Sequence, residues 1–156
     1  MFDVPHSAGT AAPRSPAPPN ACDAHIHIYD ERFPTSGTGM KNLPNATVGD
    51  YRKLQARIGT RRVVVVQPRT HGTDNAVTVD AVAQLGIANA RGVAVVRTDV
   101  SDATLRQLDA GGIRGLRFSV HEPHLGVTPS TWSGRCRSAC TRWAGTCSCT
   151  RRASRS

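Results

Sequence analysis

The stretch Arg61-Arg62-Val63-Val64-Val65-Val66-Gln67 decides the fold. β-branched side chains favour extended backbone. A strand with one wet face alternates apolar and polar residues, whereas four consecutive valines predict a strand covered on both faces, as in a parallel sheet. Pro68 ends that strand, because it offers no N–H to a ladder. Gly72 permits a tight turn, and Thr73 or Asp74 can cap the helix that follows.

Working outward, the same alternation repeats. Residues 74–85 read as a helix with Val79, Val82 and Ala83 on one side, and residues 92–96 as a strand. Ser101 caps a further helix, onto which Val100 can staple against Leu105. Gly111 and Gly112 stop it, and residues 113–120 form another strand. Upstream, residues 47–58 are helical, with Tyr51, Leu54 and Ile58 at i, i+3 and i+7. Thr47 and Asp50 form a capping box, and Gly59 ends that helix. Residues 22–29 supply the first strand. The order β-α-β-α-β-α-β predicts an α/β protein with a parallel sheet and crossover helices. No glycine-rich phosphate loop follows the first strand, which argues against a complete flavodoxin-like domain.

The flanks differ from this core. Residues 1–20 hold five of the ten prolines among Ala, Ser and Gly and read as a disordered leader. Residues 21–129 hold the folded unit. Residues 130–156 consist only of Arg, Ser, Cys, Thr, Ala, Gly and Trp. With no branched aliphatic residue this tail cannot build a core. Its six arginines and no acids supply most of the formal charge of +9, so the basic balance describes the tail and not the domain. No run approaches the roughly 18 apolar residues of a membrane span, and no apolar segment of a secretory signal opens the chain. A cytoplasmic protein is expected.

The first strand, Cys22-Asp23-Ala24-His25-Ile26-His27-Ile28-Tyr29, carries the chemistry. Strict alternation puts Asp23, His25 and His27 on one face and Ala24, Ile26 and Ile28 on the other. Two imidazoles at a strand's C-terminal end can converge on one metal ion or one substrate; the bland alternative is a pair of polar residues near a strand end. The long connection over residues 30–46 follows that end, where α/β folds place their sites. His71 has no turn or cap role and is a candidate substrate contact. In the fourth strand Leu116, Phe118 and Val120 share the helix-facing parity, leaving Arg117 and Ser119 facing the other way. Arg114 shares the helix-facing parity but starts the strand, where it reaches solvent. An inward guanidinium asks for an anion, either a substrate carboxylate or an internal partner such as Asp23. His121 and His124 follow on the next loop.

Four motifs in order resemble the amidohydrolase-related family, in its branch of 2-pyrone-4,6-dicarboxylate hydrolase-like lactonases. They are Asp23-Ala24-His25-Ile26-His27, Val65-Val66-Gln67-Pro68 with His71-Gly72-Thr73-Asp74-Asn75, Arg91 to Val96, and Gly112 to Phe118. The resemblance covers residues 18–129. It implies a (β/α)8 barrel, of which this chain carries the N-terminal half, about four β/α units, since a whole barrel takes about 250 residues. It also implies hydrolysis of a lactone or other cyclic ester, carboxylated in this case. His25 and His27 match the pair that binds metal or polarises the carbonyl. Arg117 matches an arginine that holds a substrate carboxylate, and His71 matches a loop position near the substrate; Ser119, on the parity of Arg117, is a further candidate substrate contact. Some members bind a divalent metal (zinc or manganese here), while the pyrone hydrolases work without one. Those hydrolases carry further arginines just past the fourth strand. Here that stretch reads His121-Glu122-Pro123-His124, a departure that weighs against a dicarboxylate pyrone.

A later-strand histidine and a last-strand aspartate complete the family site, and nothing after Val120 matches them. The tail's composition is instead that of GC-rich codons read one base out of frame. A shifted reading permits an amphipathic helix, a glycine and a strand. The single Trp codon at Trp143, followed by Ala144, forces the glycine. Residues 130–156 are therefore expected to be non-native or disordered. Cys136, Cys140, Cys147 and Cys149 lack the spacing of a structural zinc site. The expectation is a truncated barrel, inactive by itself, that self-associates through open strand edges. A different class of function is a basic module that binds nucleic acid non-specifically through the 130–156 tail.

Overall fold

The computed structural model describes residues 11–36, 43–119 and 146–150. The elements are β1 (Cys22–Ile26), α1 (Val48–Ile58), β2 (Arg62–Val66), α2 (Ala76–Leu85), β3 (Ala90–Val95), α3 (Asp102–Ala110), β4 (Ile113–Ser119) and β5 (Thr146–Thr150), with one turn of 3₁₀ helix at Arg69–His71. The five strands form a single sheet in chain order, and every neighbouring pair is parallel. Each of the first three crossovers carries a helix, as parallel pairing requires.

Local signals account for the helices. Thr47 Oγ1 accepts from Asp50 N, and the Asp50 carboxylate accepts from Thr47 N at 3.1 Å, so the capping box closes. Gly59 ends α1 at φ 78°, a left-handed conformation that favours glycine. Ser101 caps α3 through Thr104 N at 3.1 Å, and Val100 packs against the cluster that contains Leu105. At α2 the N-cap is Asn75, not Thr73 or Asp74; Asp74 Oδ1 instead accepts from Ala76 N.

The helices cover one face of the sheet with two apolar clusters. One joins α3 to β3 and β4 through Leu105, Leu108, Ile113, Leu116 and Phe118. The other joins α1 and α2 to β1 and β2 through Ile28, Val48, Tyr51, Val63, Val65, Val77 and Val82. Burying a side chain of this size is worth about 1.5–3 kcal/mol. At Gly92 an added Cβ would stand 2.3 Å from Ile113 Cδ1, so a larger residue there would force the Ile113 side chain to move. The sheet's other face is less covered. Val63 and Val65 are buried, but Val64, on the opposite parity, is only partly so. The run of four valines is thus fully covered on one face and half-covered on the other.

The β1–β2 register corrects the expectation for the first strand. Asp23 pairs with Val63 and Ile26 with Val65, so β1 holds one extra residue. A one-residue bulge breaks the two-residue alternation and moves side chains to the other face. Asp23 accordingly does not share the face of His25 and His27. It turns to the helix side, where Tyr51 of α1 donates to its Oδ2 at 3.3 Å. The regular strand also ends at Ile26, not at Tyr29; beyond it, Tyr29 makes an isolated antiparallel bridge to Ala46.

Of the tail expected over 130–156, the described part is Thr146–Thr150, which pairs in parallel with β4 from Gly115 to Ser119. His121 and His124 lie outside the described residues.

Candidate functional site

The site is built at the C-terminal end of β1. His25 and His27 lie with ring centroids 5.1 Å apart, nearly perpendicular, and the His27 and Tyr29 rings are 6.3 Å apart. Past the bulge, residues 25, 27 and 29 therefore form one row of side chains. His25 is exposed, while His27 and Tyr29 are half-buried.

His27 is held in one orientation and one tautomer. Its Nδ1 lies 2.8 Å from the carbonyl oxygen of Val66. A carbonyl only accepts, so Nδ1 carries the proton and Nε2 presents its lone pair. Burial lowers the His27 pKa, and the nearby charges of His25 and Arg117 lower it further, although the Val66 hydrogen bond opposes them. A neutral imidazole with an accepting Nε2 is the result. Burial likewise raises the Tyr29 phenol above its ordinary range.

Arg117, on β4, is half-buried and pairs in register with Val95 of β3. Its charge is one of the smaller influences that lower the His27 pKa, and the two residues stand on β4 and just past β1 of the same sheet. Ser119 is the last residue of β4. His71 sits at the same end of the sheet but is engaged elsewhere. It is 3% exposed, and its Nδ1 donates to the carbonyl of Pro34 at 3.1 Å. Beside it, Ser36 N and Oγ both donate to the Thr70 carbonyl. His71 thus straps the connection after β1 onto the turn after β2.

Two buried amides hold that turn. Gln67 donates to the carbonyls of Gly72 and Asp74 and accepts from Thr78 Oγ1 at 2.5 Å. Asn75 reaches β3. The sequence places Gln67 at the end of a strand and Asn75 in a helix, and only the three-dimensional neighbourhood shows their grip. Tyr29 was also passed over, although its place two residues after His27 puts it in the same row.

Among the described residues the donor set is incomplete for a metal, with His25 and His27 as its two imidazoles. A structural or catalytic zinc takes at least three protein ligands. Among the described residues no three His, Cys, Asp or Glu side chains converge. Asp23 faces the helices, where Tyr51 donates to it. The arrangement suits an anion: a guanidinium for a carboxylate, beside an imidazole that can accept a proton.

A family model described as amidohydrolase matches residues 22–133.

The chain belongs to the amidohydrolase family.

Among curated amidohydrolase relatives, a 2-pyrone-4,6-dicarboxylate hydrolase of Comamonas testosteroni is 36% identical over 124 residues, covering 78% of this chain and 40% of that protein. A 4-sulfomuconolactone hydrolase of Rhizobium radiobacter is 33% identical, covering 78% and 42%. A D-galactarolactone isomerase of Agrobacterium fabrum is 30% identical, covering 76% and 41%. A crystal structure of a probable 2-pyrone-4,6-dicarboxylic acid hydrolase from Acinetobacter baumannii, with citric acid bound, superposes with a TM-score of 0.67 at 26% identity, covering 83% of this chain and 49% of that one. An apo structure from Agrobacterium tumefaciens gives 0.71 at 26% identity, covering 84% and 46%. The chain spans about 40% of the length of the curated relatives it matches. Its parallel α/β sheet corresponds to the N-terminal half of the amidohydrolase barrel. No described helix is long and apolar enough to cross a membrane.

Proposed function

We propose that this chain carries the carboxylate-binding half of a lactone-hydrolysing site, and that residues 1–156 alone bind a carboxylated lactone without turning it over. The observation that supports this reading is the tautomer of His27: its proton is committed to Val66 and its lone pair is free, with Arg117 as a charged neighbour. The relatives named as hydrolases of a pyrone and a muconolactone, and as an isomerase of a galactarolactone, all act on lactones.

In the intact site Arg117 anchors a substrate carboxylate and orients the ring. Water attacks the ring carbonyl, and His27 Nε2 accepts the proton that the water loses. The ring C–O bond then breaks and the leaving oxygen takes up a proton, giving a hydroxy acid. No step is assigned to a metal. His25, exposed, lies within reach of the developing oxyanion as a donor when protonated. His71 supports the site indirectly, through the connection after β1. Hydrolysis also needs a water-excluding wall and fixed donors around the oxyanion. The half-covered face at Val64 and the exposure of His25 supply neither in full. An exposed thiol at Cys22 suits a reducing cytoplasm.

The test is an assay of residues 1–156 against a panel of carboxylated lactones, paired with equilibrium binding of the same compounds. Saturable binding without turnover above background is expected. Turnover that survives a His25→Ala, His27→Ala double substitution would remove the assigned role of the pair.

A further inference from the structure

Tyr29 is the one polar side chain in the histidine row that neither the sequence motifs nor the reading above has used. It follows β1, stands two residues past His27, and sets its ring 6.3 Å from the His27 ring. Its backbone is clamped on both sides: Tyr29 N donates to the Ala46 carbonyl at 3.0 Å, and Ala46 N donates to the Tyr29 carbonyl at 2.8 Å. The side chain is half-buried, and among the described residues its hydroxyl makes no hydrogen bond. The chain's other tyrosine, Tyr51, behaves in the ordinary way for a buried phenol and donates to Asp23. A phenol with a clamped backbone, a ring set edge-to-face against His27 and no hydrogen bond from its O–H to a described residue is an oriented donor that loses little freedom on binding.

We propose that the Tyr29 hydroxyl donates a hydrogen bond to an oxygen of the ligand bound beside His27. Tyr29 thereby selects ligands that present a carboxylate or carbonyl oxygen at that point. Chemical complementarity supports the assignment. His27 Nε2 only accepts, so it can take a proton from the ligand side but cannot hold an anionic oxygen. Tyr29 stands beside His27, Arg117 acts on it electrostatically, and both side chains donate. Together the three offer two donors and one acceptor, a pattern that fits a carboxylated lactone with an incoming water. This inference rests on the carboxylate-binding reading of the site.

The test labels the full chain with ¹³Cζ-tyrosine, which gives two signals because the sequence holds two tyrosines. Tyr29→Phe assigns them, and the Tyr51 signal reports whether the fold is intact. Citrate, a tricarboxylate, is the probe, with Arg117→Met as the second variant. Citrate should shift the Tyr29 signal saturably and leave Tyr51 in place. Tyr29→Phe should weaken citrate about tenfold, the loss of one hydrogen bond to a charged group. Citrate bound with full sensitivity to Arg117→Met, but with an unmoved Tyr29 signal and an unchanged affinity in Tyr29→Phe, overturns the inference and leaves the site reading standing. No citrate binding, or binding indifferent to Arg117→Met, overturns the site reading and this inference with it. If Tyr29→Phe disturbs Tyr51, the wild-type Tyr29 shift alone decides.

Discussion

Asn75 grips Val95 by both of its backbone groups. Its Oδ1 accepts from Val95 N at 2.9 Å, and its Nδ2 donates to the Val95 carbonyl at 2.9 Å. A side-chain amide at the start of α2 thus stands in for a strand partner at the end of β3. Val95 pairs in register with Arg117, so the same contact sets the height at which the guanidinium leaves the sheet. Asn75→Ala strands two buried backbone groups, each costing about 1–3 kcal/mol. Urea unfolding should show a loss of about 2–4 kcal/mol, whereas Asn75→Asp, which keeps one acceptor, should lose less. A change below 0.5 kcal/mol in Asn75→Ala would show that water replaces the grip.

His27 makes stability depend on pH, with a definite sign. Its pKa in the fold is lowered below the ordinary 6.5, so the unfolded chain binds the proton more readily. The stability at stake is fully present above pH 6.5 and is lost as pH falls from there through the folded value. The urea midpoint should therefore fall as pH drops from 7.5 to 5. His27→Asn, which keeps a donor for Val66 but does not titrate, should flatten that slope. An equal slope in both proteins would assign it to other groups.

The capping box gives an independent handle on α1. The hydrogen bonds from Lys53 and Thr47 hold the Asp50 carboxyl down, at about 2. Because this pKa is depressed, the stabilisation is present above the ordinary 3.8 and disappears as pH falls towards 2. Thr47→Ala should cost about 1 kcal/mol at neutral pH. The part carried by the Thr47 Oγ1–Asp50 carboxylate bond should vanish below pH 2, so the cost should shrink there. A cost independent of pH would mean that Thr47 acts only through its cap bond to Asp50 N.

β1 is an edge strand, paired only with β2 among the described residues. An open parallel edge invites a further strand. Residues 1–156 are expected to elute larger than a 16.6 kDa monomer in light-scattering chromatography. Ala24 is exposed on this edge, so Ala24→Lys should shift the population towards monomer without changing the far-ultraviolet spectrum. A wild-type chain that is monomeric at high concentration contradicts this.

The alternation of strands and helices was legible in the sequence because it rests on local chemistry. Val63 to Val66, the Thr47–Asp50 box and Ser101 each act through neighbours three or four residues away. The His25–His27 pair and the parity of Arg117 were legible for the same reason. The bulge that turns Asp23 away from them was not. It is a property of the register between β1 and β2, two strands separated by a helix, and strict alternation gives no warning of it. The grips of Gln67 and Asn75 were not legible from their places in a strand and a helix, because their partners, Thr78 and Val95, become neighbours only on folding. His71 seemed spare for lack of a local role, yet its partner is Pro34, 37 residues earlier. β5 had no signal at all, since Thr146–Thr150 contains no branched aliphatic residue.

The most direct test is calorimetric titration of citrate into residues 1–156 at pH 7.5, for the wild type and for Arg117→Met, with a lactone assay on the same samples. Saturable binding that weakens about tenfold or more in Arg117→Met is expected, since a guanidinium–carboxylate pair is worth about 1.5–3 kcal/mol. Turnover at background in both proteins is expected alongside it. Equal affinity in the two proteins, or lactone hydrolysis by the wild-type chain alone, would contradict the assignment of a binding-competent but catalytically incomplete half-site.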